Sequence, residues 1–77
     1  MTQTEWKEIF SDNLVSLLEE RKMTQAQLAR DSGVSTAMIS DYVNKRSIPG
    51  LMAIVNIAYA LDLSIDELVD FGEQIIY

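Results

Sequence analysis

Apolar residues recur at helical spacing along almost the whole 77-residue chain. Phe10, Leu14, Leu17 and Leu18 fall on one stripe of a helix expected from about Glu5 to Arg21, with Thr2 and Glu5 at capping-box spacing. Thr24 is a good N-cap for a second helix, Gln25 to Asp31, which turns Leu28 and Ala29 inward. Ser35 caps a third, Thr36 to about Val43, whose inner face is Ile39 and Tyr42. In the fourth, Leu51, Ile54, Ile57, Ala58 and Leu61 make the most regular apolar stripe. Ser64 opens a fifth, where Ser-Ile-Asp-Glu is another capping box and acids occupy the first turn. Gly33, Pro49-Gly50 and Gly72 punctuate the pattern, and strand-like alternation is confined to the tail Glu73–Tyr77. The fold class expected is all-α, a compact five-helix bundle of irregular crossings, with Leu14, Leu17, Leu28, Ile39, Ile54 and Leu61 in its core.

Composition narrows the chemistry. With 48% hydrophobic and 23% charged residues, the chain has the make-up of one small globular domain. It contains no cysteine and no histidine, which excludes a disulfide framework, a zinc knuckle, an iron–sulfur site and Cys- or His-based catalysis. The carboxylates sit on expected solvent faces with no nucleophile, metal-ligand spacing or phosphate loop beside them, so neither an enzyme nor a cofactor is expected. No apolar run approaches the roughly 20 residues that cross a bilayer, and MTQTEWKE does not read as a signal peptide. A cytoplasmic location, without membrane or small-molecule partners, is the expectation.

The net charge of −6 argues at first against a polyanionic partner, but its distribution reverses the point. Residues 1–20 carry Lys7 against five carboxylates, and residues 51–77 carry five carboxylates and no cation. Arg21, Lys22, Arg30, Lys45 and Arg46 are gathered in residues 21–50, against only Asp31 and Asp41.

That cationic block contains QAQLARDSGVSTAMISDYVN, residues 25–44, two helical patterns joined by a turn with glycine. Ala29 stands where two helices cross closely, Gly33 where the first must stop, and Val34 and Ile39 anchor the second. Here the sequence resembles the Cro and phage-repressor class of helix-turn-helix DNA-binding domains, also called the xenobiotic-response-element type. The matching residues include Leu14, Leu17, Met23-Thr24-Gln25, Leu28-Ala29, Gly33-Val34-Ser35, Ile39-Ser40 and Asn44. They continue in one register through Arg46, Pro49, Leu51, Ile57-Ala58, Ala60-Leu61 and Leu63 to Leu68, so the likeness spans about residues 10–69.

The resemblance implies the lambda-repressor-like fold and a small transcriptional regulator acting on a double-stranded DNA operator. Thr36–Val43 would be the recognition helix, with Thr36, Ala37, Ser40 and Asp41 toward base edges in the major groove. Gln25 corresponds to a phosphate-holding position at a helix N-terminus, and Asn44, Lys45 and Arg46 would reach phosphates too. Three departures stand out. Lys45 occupies a position often held by glycine, and Leu18 and Val43 replace a common ion pair by an apolar contact. The reading face has no Arg, Gln or Asn, so DNA shape is expected to carry part of the discrimination.

A domain this small reaches useful specificity by pairing, so a homodimer on a palindromic site is expected, with its interface drawn from the bundle itself. Met52, Val55 and Tyr59 on the fourth helix, and Phe71, Ile75, Ile76 and Tyr77 beyond the fifth, are the apolar residues left for it. The competing expectation keeps the fold without the DNA, as a protein-interaction module that binds another regulator through its acidic flanks.

Overall fold

Four helices begin at a hydroxyl that accepts a backbone N–H of the first turn. In a computed structural model, which describes residues 2–69, these are α1 (Gln3–Arg21), α2 (Gln25–Ser32), α3 (Thr36–Val43) and α5 (Ile65–Leu68), capped by Thr2, Thr24, Ser35 and Ser64. Gln27 and Glu67 complete capping boxes at Thr24 and Ser64, whereas Glu5 meets the Thr2 hydroxyl at 3.1 Å. α4 (Leu51–Ala60) begins at Gly50 without a side-chain cap. The described residues contain no strand. The tail residues Phe71, Ile75, Ile76 and Tyr77, and the alternation over 73–77, lie outside them.

The chain leaves α1 to α4 through the left-handed region. Gly33 does so at φ +75°, and the non-glycine residues Lys22, Lys45 and Asp62 at 54°, 62° and 55°. For an L side chain that conformation costs about 1–2 kcal/mol, which packing on both sides must offset. Lys45 therefore keeps the left-handed turn that glycine would make easily.

One hydrophobic core holds the helices together. Phe10, Leu14, Leu28, Ile39, Ile57, Leu61 and Leu68 are fully buried within it, and Ala29, Tyr42, Ile54 and Ala58 are nearly so. Trp6 stacks on Phe10 with ring centres 5.4 Å apart, and Phe10 meets the Tyr42 ring edge-on at 6.2 Å. α3 lies against α1 and α2, α4 packs on α2, and α5 closes between α4 and α1.

Four expectations need correction. α1 starts at Gln3 rather than Glu5, because Thr2 sets its cap, and α2 runs one residue further to Ser32. Leu17 is only half-buried, at the edge of the stripe. Leu51 is 70% exposed: as the first residue of α4 it has no helix above it, and the buried stripe begins at Ile54.

The core also holds a polar residue. Ser11 is fully buried, and its hydroxyl donates to the Val43 carbonyl at 2.8 Å, tying α1 to the C-terminal end of α3. That carbonyl has no intrahelical donor, so removing the hydroxyl strands a partly buried acceptor. Ser11→Ala should cost about 1–3 kcal/mol in urea unfolding. An unchanged midpoint and slope would show that this bond does not support α3.

Candidate nucleic-acid interface

α2 and α3 are joined by a turn that the sequence builds residue by residue. The Gly33 N–H bonds the Ala29 carbonyl at 2.9 Å, and Ser32 Oγ accepts from Val34 N–H at 3.1 Å. Ser35 Oγ then accepts from Met38 N–H at 3.2 Å, starting α3. Ala29 is small enough for the helices to meet, and a longer side chain there would overpack the crossing.

With Ile39 and Tyr42 buried, α3 turns a different face outward. Thr36 and Ala37 are exposed, and Ser40 and Asp41 are partly covered. These four fall within about 140° of arc, given 100° per residue, so the expected base-reading set shares one side of the helix. Met38 lies outside that arc and is 40% exposed. Burial first, and the Asp41 charge second, push the Tyr42 phenol above its ordinary value of 10.0, so α3 rests on a neutral ring.

The residues expected to contact phosphates lie at the start of α2 and just after α3. Gln25 is the first residue of α2, where backbone N–H groups lack intrahelical partners, and it lines a cleft with Val15, Leu18, Met23 and Val43. Leu18 and Val43 thus share one apolar wall where the family resemblance placed an ion pair.

Asn44, Lys45 and Arg46 follow α3, and each engages residues of the chain itself. Asn44 Nδ2 donates to the Ser40 carbonyl at 2.8 Å and lies 3.3 Å from Ser40 Oγ. Lys45 Nζ is 3.3 Å from Asp12 Oδ1 on α1. Arg46 Nε donates to Asp41 Oδ1 at 3.0 Å, and its Nη2 donates to Ser40 Oγ at 3.2 Å. Residues expected to read bases and residues expected to hold phosphates are therefore joined in one network. Reasoning from charge blocks missed Asp12, which comes from the acidic N-terminal stretch yet sits beside Lys45. The exposed Lys45–Asp12 pair is worth at most about 1 kcal/mol, weak enough to exchange for a phosphate.

On α4, Met52 and Tyr59 are 66% and 86% exposed and Val55 is partly covered. Leu51, which the sequence pattern set on the apolar stripe of α4, widens this apolar face, and Ile48 is also exposed. Among the described residues no acidic cluster could hold a metal ion, and no helix is long and apolar enough to cross a membrane.

The pairing of α2 and α3 defines the class. The chain matches the family described as Helix-turn-helix over residues 14–68 and belongs to it, in its Cro/C1-type form. It is 47% identical over 57 residues to the HTH-type transcriptional repressor RghR of Bacillus subtilis (strain 168), an alignment covering 73% of this chain and 42% of that protein. The chain thus spans about two fifths of the length of that curated relative. Its fold is similar to the solution structure of the SOS-response transcriptional repressor LexA from Eubacterium rectale, with a TM-score of 0.81 and 25% identity over 100% of this chain and 82% of that one.

Proposed function

We propose that the protein is a sequence-specific, double-stranded DNA-binding transcriptional repressor that lays the outer face of α3 in the major groove. The observation that carries this reading is the orientation of α3. Ile39, Tyr42 and the Ser11–Val43 bond fix its inner side, and Thr36, Ala37, Ser40 and Asp41 stay clear of the core. Thr36 and Ser40 offer hydroxyls to base edges, Ala37 a methyl for thymine, and Asp41 an acceptor for cytosine N4. Gln25, Asn44, Lys45 and Arg46 flank that face as phosphate contacts. Repression is the activity named for both similar proteins. A phage or prophage repressor, a restriction–modification controller and an antitoxin are the settings such a domain suits.

A duplex enriched from a random library is the reagent that tests this. Gln25→Ala and Lys45→Ala should weaken binding to all duplexes by similar factors, and Lys45→Ala should lower the salt slope by about one. Unchanged affinity and slope in Lys45→Ala would reject its phosphate contact. Failure to enrich any duplex would instead favour a protein-interaction module.

The operator form of this reading is a homodimer on a palindrome. Met52, Val55 and Tyr59 supply an apolar face for pairing, with Phe71, Ile75, Ile76 and Tyr77 proposed as its extension. Two copies would set their recognition helices about 34 Å apart along one side of the DNA. The double variant Met52→Asp/Tyr59→Asp should sediment as a monomer and bind the palindrome no better than a half-site. A parent protein that is monomeric both free at high micromolar concentration and on DNA would overturn the dimer.

A further inference from the structure

We propose that Arg46 is a positioning residue of the reading face: it holds one oxygen of Asp41 and fills a lone pair of Ser40, which fixes Ser40 as a hydrogen-bond donor and leaves the second Asp41 oxygen as an acceptor toward bases. The inference rests on the DNA-binding reading of α3 and assigns the polarity of two of its residues.

The backbone brings these groups together. Lys45 in the left-handed region turns the chain back, and the Arg46 N–H bonds the Asp41 carbonyl at 2.8 Å. The Arg46 side chain then returns over the last turn of α3 to the carboxylate of the same residue, Nε to Oδ1 at 3.0 Å. The bonded ring is short and local, so little conformational freedom is lost in closing it. The planar fork reaches Ser40 Oγ at the same time, Nη2 to Oγ at 3.2 Å. Asn44 Nδ2 approaches that oxygen from the helix end at 3.3 Å.

Counting lone pairs gives the polarity. A serine hydroxyl has two acceptor sites and one proton, and here both acceptor sites face nitrogen donors. Its proton has no acceptor among the described residues and is available to guanine N7 or O6, adenine N7 or thymine O4. Asp41 Oδ1 is engaged by Arg46, and Oδ2 has no donor among the described residues. It is suited to cytosine N4 or adenine N6. A bare carboxylate facing DNA would be repelled by the phosphates, and the guanidinium beside Asp41 cancels that charge. Three Arg46 N–H groups remain for a phosphate, so positioning and backbone contact coexist.

Selection from a random duplex library, run with the parent, Arg46→Lys, Arg46→Ala and Asp41→Asn, tests the proposal. Arg46→Lys keeps the cation and loses the fork. It should lose at least about fivefold of the parent's discrimination, at the same base pairs that Asp41→Asn disturbs, with an unchanged salt slope. Arg46→Ala should relax the same base pairs. If Arg46→Lys keeps the parent's preferences while Arg46→Ala weakens all duplexes equally and lowers the slope by about one, Arg46 is a phosphate contact only and the proposal fails. A parent that enriches no duplex overturns the DNA reading, and this inference with it.

Discussion

Leu18→Arg should destabilise the fold by about 3–5 kcal/mol, and adding Val43→Glu should recover part of that loss. Leu18 is 7% exposed, and it lines the same cleft as Val43 at the junction of α1 with the end of α3. A guanidinium there would be largely desolvated, with Glu19 the one carboxylate lining the cleft, and a carboxylate at position 43 would supply a second partner. The leucine–valine pair needs neither, and replacing a buried ion pair by apolar residues is often neutral or stabilising. Urea midpoints of the parent, both single variants and the double variant form the cycle that measures this. Strictly additive losses would show that the two side chains do not meet.

Ala37→Glu should abolish operator binding while leaving the fold intact. Ala37 is the second residue of α3, exposed, and on the arc shared by Thr36, Ser40 and Asp41. A carboxylate in the first turn of a helix interacts favourably with the helix dipole, so thermal stability should hold or rise slightly. In the groove the same charge meets phosphates on both sides, and such like-charge placement costs several kcal/mol, or about a hundredfold or more in affinity. Binding by Ala37→Glu within about threefold of the parent would remove this face from the interface.

Much of the fold was legible because the local signals agree with the tertiary ones. Thr24, Ser35 and Ser64 each precede an apolar stripe of the right period, and each caps a helix. Gly33 and Ala29 marked the turn and the crossing for steric reasons that packing preserves. Leu51 was misplaced because periodicity gives a direction around the helix axis but not whether anything lies over the first turn. Ser11 was overlooked as a polar residue, although it falls on the same side of α1 as Leu18, seven residues on. A polar residue on an apolar stripe is the signal that would have found it.

The candidate residues could be named from the sequence, but the network that joins them could not. Sequence placed Ser40 and Asp41 among the readers and Asn44, Lys45 and Arg46 among the holders, because it treats them as separate stretches. The left-handed Lys45 folds the second group onto the first, and Asp12 arrives from 33 positions upstream to face Lys45. Neither contact has a local pattern to announce it. Charge counted by block therefore overstated how free these two cations are.

Amide chemical shifts recorded while the enriched duplex is titrated into the labelled protein test the assignment of α3 most directly. The largest changes should fall on Thr36, Ala37, Ser40 and Asp41, with a second group at Gln25 and at Asn44 to Arg46. Shifts centred on α4, with Thr36 to Asp41 unmoved at saturating duplex, would contradict the reading of α3 as the DNA-recognition helix.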